Sequence, residues 1–217
     1  MGITAAVVVG GGAVRAPLRP YDLVVTADSG LDEARAAGFV PTHLVGDLDS
    51  ISDDGRAWAS EHGVPVERHP VDKDATDTTL ALRLAVRLGA AEVDLYGATG
   101  VTRLDHLLAT VAALGDPLLH EVVLLTAYLD DTTVRVLHPG HQVAFDLPSG
   151  ALFSLLPMHG RCDGVSVSGA TWPLSRTRLS PSSTLGVSNT ALGGRVVVSC
   201  AGGVLTVVVP GAHEGER

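Results

Sequence analysis

The sequence predicts two architectures in one chain. An α/β domain, with a parallel sheet and helices on both faces, is expected over residues 1–139. A small all-β sandwich is expected over residues 140–217. Three observations predict this. Strand-like and helix-like runs alternate as far as Pro139, after which the helix-like runs stop. The strands of the first part are apolar at nearly every position, as strands covered on both faces should be. Aspartates and glycines follow several of these runs, at the sheet edge where open α/β folds bind ligands.

The elements follow in order. Residues 3–9, "ITAAVVV", read as a buried strand before Gly10, Gly11 and Gly12. "YDLVVTADSG" repeats the form and ends in Asp28 and Gly30. "LDEARAAG" is a short helix closed by Gly38, and "THLVGDLDS" a strand ending in acids. "DDGRAWASEHG" is a helix stopped at Gly63, followed by the short strand "VPVERHP". "TDTTLALRLAVRLG" is an amphipathic helix with apolar positions at Leu80, Leu84 and Leu88 and a stop at Gly89. "EVDLYGATG" is a strand entering a glycine loop, "LDHLLATVAALG" a helix, and "EVVLLTA" the last strand of the series. Beyond "HPGHQ", the runs "QVAFDL", "GALFSLLPM", "GVSVSG", "LGVSNTA", "GRVVVSC" and "GVLTVVVP" are short strands parted by Gly, Pro and Ser.

Composition narrows the function. Of 217 residues, 24 are Asp or Glu and 15 Lys or Arg, a net charge of -9. This disfavours a nucleic-acid partner. Seventeen acids precede residue 120 and seven follow it, so cations are expected to bind the first part. Cys162 and Cys200 are too few for a disulfide framework and read as buried thiols of a reducing compartment. "MGITAAVVVGGG" lacks a basic region and reads as a strand, not a signal peptide. No apolar run approaches the roughly 18 residues of a membrane span. A cytoplasmic protein without a membrane partner is the expectation. No G-x-G-x-x-G follows the first strand, which disfavours a dinucleotide-binding protein.

The chemistry concentrates in three segments. In an extended "GDLDS", Asp47 and Asp49 project to one side with Leu48 turned to the core. Two carboxylates sharing a site need a cation or a proton between them, and Mg²⁺ with substrate phosphates is a natural solution. In "KDATD", Asp74 reads as the cap of a helix starting at Ala75, with Asp77 in its first turn. The same acids, with the Thr76 hydroxyl, also suit a ligand site. Lys73, the only lysine, suits either a phosphate or solvent. In "GATGVTRLDH", the glycine loop can cradle phosphate. Arg103 and Asp105 form either part of that site or a local ion pair, and His106 either faces ligand or packs in the core.

The motifs "TADSG", "GDLDSIS", "KDATDTTLAL" and "GATGVTRLDH", in this order and spacing, resemble the thiamine pyrophosphokinase family. "GVSVSGATWPL" and "SNTALGGRVVVSCAGGVLTVV" extend the resemblance through the second module. It implies pyrophosphoryl transfer from ATP to the hydroxyl of thiamine, giving thiamine diphosphate and AMP. It implies Mg²⁺ on Asp47, Asp49 and Asp77, with Asp28 and Asp105 near the same site. Catalysis would rest on Asp49, Asp77 and Asp105. Lys73, Thr76, Gly100, Arg103 and His106 would face ATP, and Trp172, Ser188 and Asn189 would contact thiamine. It also implies a homodimer, with thiamine between the α/β domain of one chain and the β domain of the other. Two positions depart from the family pattern: Val101 and Thr102 stand where a glycine pair is usual, and Thr110 replaces an asparagine. The competing readings are a pterin pyrophosphokinase and a noncatalytic thiamine or nucleotide sensor.

Overall fold

The structure, a computed structural model, describes residues 2–98 and 103–211. The chain divides into two compact units, Met1–Asp130 and Asp131–Arg217. The first unit carries strands β1 (Ile3–Val9), β2 (Leu23–Ala27), β3 (His43–Gly46), β4 (Val66–Arg68), β5 (Ala90–Gly97) and β6 (Leu124–Leu129). Its helices are α1 (Gly30–Ala36), α2 (Asp53–Glu61), α3 (Asp77–Arg87) and α4 (Leu104–Ala113).

The six strands are all parallel, in the order β6-β5-β1-β2-β3-β4. Val7 of β1 stands opposite Val25 on one side and Leu95 on the other. The chain steps outward from β1 to β4, then crosses back to add β5 and β6 on the other edge of β1. Such a reversal leaves a crevice at the carboxyl ends of the central strands. One face is closed by α1, whose Ala34 packs with Ala6, Val8, Val24 and Tyr96. Helix α3 packs on the same strands β1 and β2 but contributes nothing to that cluster, so it covers the opposite face. The buried stripe of α3 is Ala81, Leu82, Leu84 and Ala85; Leu80, expected inside, is only half-buried.

The second unit is a sandwich. One sheet runs β12 (Asn189–Thr190), β9 (Leu152–Leu156), β14 (Leu205–Val209), β7 (Thr132–Leu137), and the other runs β11 (Leu174–Leu179), β10 (Cys162–Ser168), β13 (Gly194–Ser199), β8 (Gln142–Leu147). Phe153, Leu155, Leu205 and Val207 of the first meet Phe145, Val165, Val196 and Val198 of the second in one core. Cys162 and Cys200 are free thiols buried in that core. Strands β7 and β11 had no counterpart in the sequence reading, and β7 belongs to the second unit although it precedes Pro139.

The start of α3 also differs from expectation. The helix begins at Asp77, not Ala75, and its cap is Thr76, whose hydroxyl accepts the Thr79 N–H at 3.2 Å. Asp74 is exposed and outside the helix. A hydroxyl in extended backbone just before the first turn serves the unpaired amides as well as a carboxylate would. Thr76→Ala should therefore cost about 1 kcal/mol of stability, and Asp74→Ala less than about half of that. Chemical denaturation of both variants checks the assignment; a larger loss at Asp74 would reverse it.

Candidate active site

The site begins with one buried aspartate. Just past β2, Asp28 adopts a left-handed φ of 49° and is buried. Its N–H donates to Val45 O at 3.0 Å, and its Oδ1 accepts the Leu48 N–H at 2.8 Å. This ties the ends of β2 and β3 together. The segment after β3 is therefore not extended, as the sequence reading had it. Leu48 sits at φ 66°, with its side chain packed among Leu31, Leu44, Ile51 and Ala59. Asp47 and Asp49 converge because this turn curls around the buried Leu48. Carboxylate oxygens of Asp28, Asp47 and Asp49 lie within 4.8 Å of one another. Gly46 makes room for them: at φ 146°, a Cβ there would stand 2.9 Å from the Asp28 carboxyl carbon.

The electrostatics match the crowding. Burial, with the charges of Asp77 and Asp47 added, pushes the Asp28 carboxyl up to about 6. Asp47 moves the other way, mainly because it accepts a hydrogen bond from Lys73. The Lys73 ammonium lies 2.9 Å from Asp47 Oδ2 and 2.8 Å from Asp77 Oδ1. Burial opposes the charge on Lys73, but the adjacent Asp77 and Asp47 carboxylates outweigh it and raise its pKa. Thus Asp77, expected among the metal ligands, joins the cluster through Lys73, while Asp28 joins it directly.

These groups line a cavity of about 690 Å³, within the usual range for a small-molecule site. Lys73, Thr76 and His106, all expected to face nucleotide, line it together with Asp28, Asp47, Asp49 and Asp77. Arg103 and Asp105 do not. They pair with each other at 3.0 and 2.7 Å on the exposed start of α4, and Arg103 pulls the Asp105 carboxyl down to about 2. Gly100, with Val101 and Thr102, lies outside the described residues. Ser29, Ser50 and Val71 line the cavity without having been singled out; each serine directly follows a flagged aspartate, which was the available signal. Thr110, noted as a departure, lines it too.

The second unit holds the other three residues. Trp172 is 59% exposed, so it does not fill the sandwich core. Asn189 is 5% exposed and grips the backbone beneath it: its Nδ2 donates to Trp172 O at 2.8 Å, and its Oδ1 accepts the Trp172 N–H at 3.2 Å. Ser188, exposed at φ 59°, donates its N–H to Ser154 Oγ at 3.0 Å.

Comparison with known proteins adds the family. The model of the thiamin pyrophosphokinase catalytic domain matches residues 15–124, and that of the thiamin pyrophosphokinase vitamin B1 binding domain matches residues 140–205. The chain belongs to the thiamin pyrophosphokinase family. It is therefore an enzyme, and its reaction is the pyrophosphorylation of thiamine. A curated thiamine pyrophosphokinase of Bacillus subtilis (strain 168) is 24% identical over 189 residues, 87% of each chain. The crystal structure of thiamine pyrophosphokinase from Bacillus subtilis shares the fold at a TM-score of 0.78 and 22% identity, covering 95% of this chain and 98% of that one. That from Geobacillus thermodenitrificans does so at 0.74 and 24%, covering 99% and 100%. Among the described residues, no helix is long and apolar enough to cross a membrane.

The cluster's geometry depends on Gly46 lacking a side chain. Gly46→Ala should lose about 1–3 kcal/mol to backbone strain and to displacement of Asp28. In the same variant, Mn²⁺ affinity should weaken at least ~10-fold, equivalent to about 1.4 kcal/mol. Denaturation and Mn²⁺ titration by electron paramagnetic resonance check both. Unchanged metal binding would detach Asp28 from the cluster.

Proposed function

We propose that the pyrophosphoryl donor is ATP, that Mg²⁺ is the metal, and that AMP is the second product. The observation that carries this is the convergence of three carboxylates and a lysine at the carboxyl ends of β2 and β3. The donor set fits the ion. It is all oxygen, as a hard cation requires, and Asp28 is unfavourably charged without a neighbouring cation. Asp28, Asp47 and Asp49 would hold Mg²⁺, which supplies charge neutralisation for the phosphates.

The chain's own groups account for the rest. Lys73, Thr76 and His106 line the cavity where phosphate oxygens would lie. The thiamine hydroxyl oxygen attacks the β-phosphorus of ATP in line. The bond from that phosphorus to the oxygen bridging the α-phosphate breaks, and AMP leaves with the electron pair. Asp77 borders the cavity and Asp105 does not, so Asp77 is the acceptor assigned to the hydroxyl proton. Asp105 is held deprotonated by Arg103, which makes it a weak base. In the second unit, the exposed indole of Trp172 offers a face for stacking on the pyrimidine ring of cationic thiamine. We place the enzyme in the cytoplasm as a homodimer with shared active sites; the two free thiols support a reducing compartment.

The direct test mixes protein, Mg-ATP and thiamine and follows AMP and thiamine diphosphate; no AMP with thiamine present would overturn the donor. Asp49→Asn should leave the fold intact and lower kcat by at least ~100-fold. Wild-type turnover of that variant at saturating Mg²⁺ would remove the metal assignment.

The shared site has its own test. Asp49→Asn and Trp172→Ala variants, each inactive, should regain activity when mixed and allowed to exchange subunits, since one of the two interfaces then carries both intact residues. Confirmed exchange without recovery, or a Trp172→Ala variant with unchanged thiamine KM and kcat, would exclude it.

A further inference from the structure

Asp47 is claimed by two cations. One of its oxygens, Oδ2, is held by the Lys73 ammonium, and the other, Oδ1, accepts the Asp49 N–H at 3.2 Å. Neither oxygen is unengaged, so a metal ion at Asp47 shares an oxygen with a hydrogen-bond donor. Asp77 shows the complementary feature. Its Oδ1 is buried, lies 2.8 Å from the ammonium, and makes no well-aligned hydrogen bond. The ion pair between Lys73 and Asp77 thus satisfies charge but not direction, which suits a replaceable counter-ion. The lysine side chain is only 11% exposed, on the short segment before α3, so its contacts are held by the fold rather than sampled from solvent.

We propose that Lys73 is a built-in countercation of the acidic site, holding Asp47 and Asp77 until a divalent ion binds and expels its ammonium into the cavity. The physical reason is repulsion. A divalent ion on the cluster shares the Asp47 carboxylate with an ammonium already touching it, and two cations on one carboxylate repel in a partly buried site. Ligation by Asp47 is stronger once its Oδ2 is free. The expelled ammonium remains tethered in the cavity, where the phosphates of a nucleotide would meet it. Metal loading then arms the phosphate site. Before loading, the lysine limits the mutual repulsion of the carboxylates, which would otherwise destabilise the empty fold. This rests on the metal assignment made above.

Lys73 is the only lysine of the chain, so one residue reports the change. The full-length protein is acetylated with a limiting amine-reactive reagent, with and without saturating Mg²⁺ and no nucleotide. The peptide carrying Lys73 is then quantified by mass spectrometry, which separates it from the amino terminus. Mg²⁺ should accelerate modification of Lys73 about tenfold, the size of a population shift from held to released. Mn²⁺ binding to Lys73→Met should be tighter than to wild type by about tenfold, since the internal competitor is gone. Circular dichroism shows that the variant is folded. If wild type binds Mn²⁺ and Asp49→Asn does not, yet Lys73 modification is unchanged or slowed by Mg²⁺, the expulsion is wrong and the metal assignment stands. If wild type and Asp49→Asn bind Mn²⁺ alike, both fail.

Discussion

The hydrogen bond from the Leu48 N–H to Asp28 is the interaction on which the rest of the first unit's chemistry depends. It joins two strand ends that are twenty residues apart in sequence. It also holds both partners in left-handed backbone, which costs an ordinary residue about 1–3 kcal/mol. Two contributions offset that strain. Leu48 buries its side chain in the cluster beneath α1 and α2, and Asp28 gains a hydrogen bond in a buried position where an unpaired carboxylate would be costly. The sheet order supplies the location. Because β1 has neighbours added on both edges at different stages of the chain, the ends of β1, β2 and β3 open onto a crevice. The strained turn fills that crevice with carboxylates.

Much of the fold was legible because parallel strands covered on both sides leave an unambiguous trace. "ITAAVVV", "LVVTA" and "EVDLYG" cannot be half-exposed strands, and the runs between them carry helical periodicity. Two strands escaped notice, one for its wet face and one for its place at the boundary. In β11, "LSRTRL" buries Leu179 and exposes Arg176 and Arg178, so its apolar content is too low to stand out from a loop. In β7, "TTVRVL" sits against the boundary and was absorbed into it, although its threonine Thr133 and valines are buried. The cap of α3 was misplaced for a related reason. "KDATD" offers both Asp74 and Thr76 as caps of similar strength, and only tertiary packing decides where the first turn begins.

At the site, the residue types were legible and their partnerships were not. Acids at strand ends are visible in sequence, and so was the local Arg103–Asp105 pair as one of two readings, but the Asp28–Leu48 bond and the fold of Lys73 onto Asp47 are contacts of three dimensions. Spacing of two residues suggested that Asp47 and Asp49 meet by strand alternation. They do meet, but across a turn whose centre is the buried Leu48. The same spacing is compatible with both geometries, so it could not choose between them.

The two units solve a common problem in the same way. Each must present groups that would be more stable elsewhere: carboxylates crowded together in one, a large indole in water in the other. Each does so with one buried polar side chain that grips the backbone of a neighbour. Asp28 takes the Leu48 amide, so that the residues flanking Leu48 turn toward the cavity. Asn189 takes both the N–H and the carbonyl of Trp172, which fixes the backbone that carries the exposed indole. A buried amide engaged on both sides has no alternative partner without leaving a polar group unsatisfied, so the backbone position of its neighbour follows from the core. In both units a buried polar side chain thus holds, from inside, the backbone that carries the exposed groups.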